Sequence, residues 1–450
     1  MQKSFMILKK KLVAVILLLP IFLSSFANAE SIKIINDDET EFFLQQIIKP
    51  LFIKADIPYN KNYIHIIEDN SLNAFVGDGN HLFIHTGTLI KADNVNELSG
   101  VIAHEIGHIK GGHILRQKLE IKEMNNLSLI SALLAGSAGI VTGNPDLTMA
   151  ILLGGQSSAL NKFVHYRSNE ERAADETATQ LLNKTKQSPL GILNFMKKIV
   201  KQNQLSGLKE TPYFRTHPIT SERITFFENK LNENKYTTQS PYDKEFAFVK
   251  AKLKAYLNNP KTTIKEYEKC QQQLYCQYAL SLAYFRDLQF EKAFKYINKL
   301  INKLPQNPYF YEIKGQMEME TGKISEAVKS FTIANQINPS AEGIQTSYAF
   351  ALLEENETNA NATKAIMLLD KLLLNNPHNY FLWNLRVKAA SRLGDMPAVY
   401  YATAEMAHLR KENDKALKYL EKAKKVSPNH QLKIKIDDLA TKIQQEKNRK

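Results

Sequence analysis

The sequence is poor in cysteine, has no clusters of interleaved basic and aromatic residues, and has no apolar run of transmembrane length. Its two cysteines, Cys270 and Cys276, are weak candidates for metal ligands. In an oxidising compartment they can pair across a short loop, but within one continuous helix their sulfurs are too distant, so both outcomes stay open. Without basic-aromatic clusters, the net charge of +13 indicates a solvated surface or mild attraction to an anionic membrane, and no nucleic acid as partner.

The start of the chain has the three parts of a secretory signal peptide. Lysines at positions 3 and 9–11 precede an apolar run over residues 12–26, and Ala27-Asn28-Ala29 is an A-x-A cleavage site. The run is short for a membrane anchor, which needs about 20 apolar residues. We therefore expect cleavage after Ala29 and export, which removes four lysines and no acid and lowers the net charge from +13 to +9.

A chain of 450 residues is too long for one ordinary core, and its pattern changes twice after the signal peptide (1–29). Residues 30–236 mix helices with short strands. Residues 237–261 are predicted to be a linker and a connecting helix, and residues 262–450 to be helices separated by turns. The sequence thus predicts a mainly α protein, with an α+β domain that holds a small sheet followed by an α-helical array.

Two apolar runs, residues 127–141 and 147–153, are each too short to cross a bilayer as a straight helix. A buried helical hairpin is the plainer interpretation, and a lid or peripheral membrane contact is the alternative. Elsewhere in the first domain, residues 77–80 have the composition of a hairpin turn and Asn94 suits a helix N-cap. The predicted elements are helices over 41–53, 96–111 and 165–182 and strands over 64–67 and 81–85.

Residues 262–450 carry an imperfect repeat. An alanine precedes a proline by twelve residues four times, at 293 and 305, 327 and 339, 365 and 377, and 416 and 428. The alanines of the first two units have the spacing of a tetratricopeptide (TPR) repeat, about 34 residues, and the sequence resembles such repeats. Offsets of 38 and 51 between the later alanines indicate insertions, including an extra helix around 380–393. A TPR array presents a concave groove for peptide or protein.

His104-Glu105-Ile106-Gly107-His108 has the pattern H-E-x-x-H. On a helix, two histidines four residues apart lie on one face, so both imidazoles can reach one metal ion. The glutamate between them is rotated off that face, where it can take a proton from water at the metal. A catalytic zinc usually has three protein ligands, so a third must be found elsewhere.

The third ligand is not supplied by the residues that follow directly. A three-histidine site of the H-E-x-x-H-x-x-G-x-x-H type requires histidine at position 114, which is Ile114, and His113 is turned about 100° away along the helix. We therefore interpret His113 as a neighbour of the site or a surface residue. A carboxylate on a later helix is the other option: Glu171 can bind the metal, while Asp175, one turn on, can accept the other ring N–H of a ligand histidine.

With this pairing the chain resembles the M48-type zinc metalloproteases. With its signal peptide and C-terminal TPR repeats it is similar to the BepA-like periplasmic proteases of Gram-negative bacteria, over almost the whole mature chain. The resemblance implies a zincin-type fold and one Zn2+ per chain. It also implies that His104, His108 and Glu171 are the ligands, Glu105 is the general base and Asp175 supports a ligand histidine.

Two further segments carry the resemblance. Asn73-Ala74-Phe75 is similar to the family's N-A-F segment beside an edge strand, which implies peptide binding by strand addition. His217, in Arg215-Thr216-His217-Pro218, matches a loop histidine that is a conditional fourth ligand or assists the transition state in this family; a plain loop histidine is the alternative.

The family further implies a periplasmic location and quality control of outer-membrane proteins. Unfolded or misassembled outer-membrane proteins are then the substrates, and the barrel assembly machinery is a partner. The rival interpretation is a TPR chaperone or adaptor whose metal site is structural or latent. Glu105 argues against it, because a purely structural metal site has no need of a base.

Overall fold

The computed structural model describes residues 33–116, 158–205, 212–233, 235–236, 239–355 and 358–448. The predicted signal peptide, the apolar runs within 127–153 and part of the predicted linker lie outside these residues. Helices dominate, with one small sheet, so the prediction of a mainly α chain is confirmed. Among the described residues, no helix combines the length and apolar character needed to span a membrane.

The sheet has four strands in the order β1-β2-β4-β3, where β1 is Ile34–Ile35, β2 is Ile64–Ile67, β3 is Ala74–Val76 and β4 is Leu82–His85. β2 and β4 are parallel, and the other two pairs are antiparallel. The turn over residues 77–80 joins the antiparallel strands β3 and β4. The two predicted strands, 64–67 and 81–85, correspond to β2 and β4, which pair in parallel. Gly79 and Asn80 adopt φ values of 69° and 65°, which a tight turn of this kind requires.

The helices of this N-terminal part begin where polar side chains cap them. The Asp37 carboxylate accepts the Thr40 N–H at 3.0 Å, which starts α1 earlier than predicted. The Asn94 side chain accepts the Glu97 N–H at 3.0 Å, as predicted for the motif helix. The helices are α1 (Asp38–Lys54), α2 (Thr86–Lys91), α3 (Val95–Gly111), α4 (Ser158–Lys184), α5 (Leu190–Leu205), α6 (Pro212–Thr216) and α7 (Ser221–Glu233).

Helix α8 (Asp243–Leu257) is shared between the N-terminal part and the repeats. Phe246, Val249 and Leu253 are buried in the core of the N-terminal part. Ala251 and Ala255, on another face, are buried among the first repeat helices. The segment predicted as a linker and connecting helix thus contains a helix, α8, that contributes side chains to two cores.

Three consecutive acidic residues at the start of α1, Asp37, Asp38 and Glu39, contact α8 and the repeats. The buried ammonium of Lys252 on α8 pairs with Asp37 and lies 3.3 Å from Glu39. The Asp38 carboxylate accepts the backbone N–H of Ile344, in a repeat helix, at 2.9 Å. The contacts of Asp37 and Asp38 therefore join parts of the chain that are far apart in sequence.

The repeat array consists of helices that pack against their successors. Consecutive first helices begin at residues 274, 308 and 342, so the 34-residue spacing is seen directly. The extra helix predicted around 380–393 is present. The helices are α9 (Pro260–Tyr267), α10 (Leu274–Arg286), α11 (Phe290–Lys303), α12 (Pro308–Glu320), α13 (Ile324–Ile337), α14 (Glu342–Glu354), α15 (Asn359–Asn375), α16 (Tyr380–Arg392), α17 (Met396–Leu409), α18 (Asn413–Lys425) and α19 (His430–Asn448).

The two cysteines form a disulfide, with their Cα atoms 5.9 Å apart. Cys270 ends a short 3-10 turn, and Cys276 lies in the first turn of α10. Residues 271–273 separate the two elements, so the cysteines do not share one continuous helix. The pairing that the sequence left open is therefore allowed by the break between the turn and α10.

Candidate metal centre

Four side chains converge between α3, α4 and the segment after α6. His104, His108, Glu171 and His217 are all buried, and one ligand atom from each lies within 4.8 Å of the others. The Nε2 atoms of His104 and His108 are 3.1 Å apart, and His104 Nε2 is 3.3 Å from Glu171 Oε2. His217 approaches through Nδ1, 3.0 Å from Glu171 Oε1. The four residues come from three separate stretches of sequence and meet at one point.

Gly107 allows α3 and α4 to come this close. A β-carbon at this position would lie 2.7 Å from the carbonyl oxygen of Ala174 and 2.8 Å from its Cα. The backbones of the two helices are therefore in direct contact beside the cluster. Since Gly107 adjoins His108 and Ala174 adjoins Asp175, this contact sets the distance between the histidines and the carboxylates.

Asp175 and Arg223 contact the side chains of the cluster and hold them in position. Asp175 Oδ1 lies 2.8 Å from His104 Nδ1, which leaves Nε2 of that ring to face the centre. Arg223 donates from Nε to Asp175 Oδ2 at 2.6 Å, and its Nη1 forms an ion pair with Glu171 Oε2 at 2.8 Å. The guanidinium thus holds two carboxylates in fixed positions, a geometry to which its planar fork is suited.

The charges in this buried group act on one another. Burial alone would raise the pKa of Glu171, but His217 and Arg223 hold that pKa well below its ordinary value. Arg223 and the hydrogen bond with His104 likewise lower the pKa of Asp175 against the opposing effect of burial. Both carboxylates are therefore ionised at neutral pH.

Glu105 is fully buried, and neither of its carboxylate oxygens has a hydrogen-bond partner among the described residues. The His217 imidazole lies beside it, with Nε2 3.5 Å from Glu105 Oε1. Burial raises the pKa of Glu105. A buried carboxylate with two unsatisfied oxygens, beside three imidazoles and one carboxylate, fits a centre that holds a metal ion and a water molecule. The residues present therefore fit a zinc ion.

His113 and the segment Asn73-Ala74-Phe75, the remaining predicted positions, lie outside the four-residue cluster. His113 is buried, with Nδ1 2.8 Å from His108 Nδ1, so it contacts a cluster histidine without joining the cluster. Asn73-Ala74-Phe75 leads into β3, the edge strand at the opposite end of the sheet from β1. Within the described chain, no strand pairs with the outer side of β3.

Arg223 is the residue that sequence reasoning missed. It follows His217 by six residues and lies in the first turn of α7, a position where an arginine is normally solvated. Only 7% of it is exposed here. Its closeness in sequence to His217 is the one signal that points to it, and that signal does not separate a buried arginine from a surface one.

The chain is similar to known proteins over much of its length. Residues 39–230 match the family described as Peptidase family M48. The chain is 23% identical over 401 residues to the beta-barrel assembly-enhancing protease of Escherichia coli (strain K12), covering 87% of this chain and 80% of that protein. The protein of the same name from Yersinia pestis is 23% identical over 338 residues, 74% of this chain and 68% of that protein.

The chain also aligns with solved structures of other proteins. A tetratricopeptide repeat protein from Parabacteroides merdae aligns with 56% of this chain and 97% of its own, with a TM-score of 0.29 and 12% identity. The helix pairs and their 34-residue spacing define the repeats. The similarity to the two proteases covers more of the chain than the family match, so it includes part of the repeat array.

Proposed function

We propose that this chain is a zinc-dependent endopeptidase, because residues 39–230 match the peptidase family M48 and a cluster of histidine and glutamate side chains lies within that match. We assign His104, His108 and Glu171 as the zinc ligands and Glu105 as the general base. The proposal is carried by the convergence of the three ligand side chains beside a buried carboxylate that has no hydrogen-bond partner in the described part of the chain. We place the peptidase domain at residues 30–236 and the repeat domain at 262–450.

The chain's own residues supply the proton transfers and the positioning. When bound, zinc supplies a Lewis acid that polarises the scissile carbonyl and lowers the pKa of water to about 7. Glu105 takes the proton from the attacking water at one carboxylate oxygen and delivers it to the leaving amine nitrogen. Asp175 keeps Nδ1 of His104 hydrogen-bonded, and Arg223 keeps Asp175 in place for that contact.

His217 is assigned as a conditional fourth ligand. Its Nδ1 lies 3.0 Å from Glu171 and 3.4 Å from His104 Nε2, which is close enough to bind the same ion as the other three side chains. The enzyme is then latent until this loop moves. His217→Ala should raise basal proteolysis, measured with a quenched fluorescent peptide. Lowered activity would indicate that His217 assists the reaction instead.

We infer from the relatives that the protein acts in the periplasm on unfolded or misassembled outer-membrane proteins. Two of the similar proteins are named beta-barrel assembly-enhancing proteases, and the first of them is matched over 80% of its length. The signal-peptide pattern over residues 1–29 supports export, and the repeat domain offers a surface that recruits substrate or the barrel assembly machinery. β3 offers an edge along which the substrate backbone can lie.

One variant separates this proposal from the chaperone or adaptor alternative. Glu105→Gln keeps the shape of the side chain and removes the base, so cleavage of an unfolded barrel protein should be lost while folding and binding persist. Unchanged cleavage by this variant would refute the peptidase assignment. Zinc content measured on Glu171→Ala tests the ligand set separately, because retained stoichiometric zinc would exclude Glu171 as a ligand.

A further inference from the structure

A cavity of about 730 Å3 lies between the peptidase domain and the repeats. β1 and the start of α1 form one side of it, and α8, α12 and α14 form the other. None of the proposed zinc ligands lines it. It runs along the β1 edge of the sheet, whereas the proposed substrate edge is β3 at the other end of the strand order. The cavity is therefore separate from the peptidase centre.

Glu312 on α12 is an unsatisfied acid in the wall of this cavity. Only 6% of the residue is exposed, and its Oε2 has no hydrogen-bond partner among the described residues. Burial raises its pKa to about 8, although Lys252 acts in the opposite direction. Lys252 does not satisfy it, because that ammonium is paired with Asp37 and lies against Glu39. Glu312 therefore keeps its proton at neutral pH, and a cation brought beside it would favour the ionised form and pair with it.

The other carboxylates of the cavity already have partners. Asp38 accepts the Ile344 N–H at 2.9 Å, and Glu342 accepts Lys61 Nζ at 2.8 Å. The lining nevertheless includes five acidic residues against two lysines, within a chain whose net charge is +13. The local charge therefore favours a positively charged guest, and Glu312 is the acceptor that such a guest would meet.

The cavity also offers what an extended peptide backbone needs. β1 is the outermost strand of the sheet, and Ile34 in it is 50% exposed. No described strand pairs with its outer side, so its backbone groups are available for strand addition. Apolar side chains also line the cavity and can cover an aliphatic stem; they include Leu253, Ile313 and Leu382. A volume of this size lies within the usual range for ligand pockets.

We propose that this cavity binds an extended polypeptide segment with a lysine or arginine, whose backbone runs beside β1 and whose cation pairs with Glu312. The segment is held at a site where nothing is cleaved, so it belongs to a partner protein that is bound and released intact. The proposal goes beyond the proposed peptidase activity and does not depend on it.

Binding is measured on the full chain in the Glu105→Gln background, where a bound peptide is not consumed. The probes are two fluorescein-labelled, capped eight-residue peptides of alternating valine and threonine, with either lysine or glutamine at one central position. Fluorescence anisotropy should show at least tenfold tighter binding of the lysine peptide. Glu312→Gln should abolish that preference. Equal binding of the two peptides, or a preference that survives Glu312→Gln, would overturn the proposal.

Glu318→Gln is the matched control. Glu318 lies on the same helix and is 5% exposed, but it accepts a hydrogen bond from Ser330 and does not line the cavity. This variant should retain the tenfold preference, and its loss would show that the effect is not specific to the cavity. Free butylamine at equal concentration should compete poorly; full competition would assign the site to a simple amine and refute peptide binding.

A mapping experiment avoids any dependence on how the variants fold. The lysine peptide carries a photoreactive diazirine next to its lysine and is crosslinked to the Glu105→Gln protein. Crosslinks located by mass spectrometry should fall on residues 34–38 or on α12. Crosslinks confined to β3 and the metal centre would show that the lysine peptide binds only as a substrate.

Discussion

Gly107→Ala tests whether the contact between α3 and α4 sets the geometry of the metal centre. The added β-carbon would lie 2.7 Å from the Ala174 carbonyl oxygen, about 0.7 Å short of ordinary van der Waals contact at 3.4 Å. The opposing atoms belong to backbone, so they cannot rotate away and the helices must separate by several tenths of an ångström. Overpacking of this kind costs about 1–3 kcal/mol.

The displacement acts directly on the proposed ligands, since Gly107 precedes His108 and the moving backbone of α4 carries Glu171. A misplacement of about 1 Å near a reacting centre can lower activity about 100-fold. We expect Gly107→Ala to fold with a lowered melting temperature. Its zinc affinity should fall at least tenfold, measured by competition with a chromogenic chelator, and kcat/KM should fall about 10- to 100-fold.

Lys110→Ala is the control for this prediction, because Lys110 is an exposed residue of the same helix. It should leave zinc affinity and kcat/KM unchanged. Normal zinc affinity and normal kcat/KM in a folded Gly107→Ala protein would show that the helix contact does not set the ligand distances.

Three other changes have defined outcomes. Arg223→Met leaves two buried carboxylates without their cation and should lower the free energy of unfolding by about 3–5 kcal/mol in urea titrations of the metal-free protein; a difference near zero would contradict this. Burial raises the pKa of Glu312 to about 8, so between about pH 4.5 and 8 the folded chain keeps a proton that the unfolded chain releases, and stability falls as pH rises. Glu312→Gln should flatten that decline in melting temperatures taken from pH 5 to pH 9, and an unchanged slope would assign it to other groups. Replacing Cys270 and Cys276 by serine should cost about 2 kcal/mol in unfolding free energy, from the entropy of a short closed loop; reductant should destabilise the parent and leave the double variant unaffected.

The parts of the fold that depend on local patterns were predictable. The H-E-x-x-H helix and its Asn94 cap follow from spacing and side-chain chemistry within a few residues. The 34-residue spacing of the first repeats and the extra helix at Tyr380–Arg392 follow from the placement of small residues and prolines. In each case the residues that determine the structure are close in sequence or recur at a fixed period.

The parts that depend on distant contacts were not predictable. The buried position of Arg223 is fixed by Glu171 and Asp175, two carboxylates on a different and much earlier helix. The parallel pairing of β2 with β4 depends on β3, which lies between them in sequence and pairs with the other side of β4. The residue patterns of β2 and β4 alone fit an antiparallel hairpin equally well. The sequence of α8 shows that it has apolar residues, but which of them belong to which core depends on distant residues that pack against each face.

The ion pairs around Lys252 bear on whether the two halves of this protein are separable modules. A cut between them would leave a buried ammonium on α8 without Asp37 and Glu39, and removing the partner of a buried charge costs about 3–5 kcal/mol. The cut would also expose one of the two apolar faces of α8 to water. We therefore expect the described chain to melt in a single cooperative transition. A repeat array exchanged between relatives would retain its stability only if α8 and the acidic start of α1 were exchanged with it.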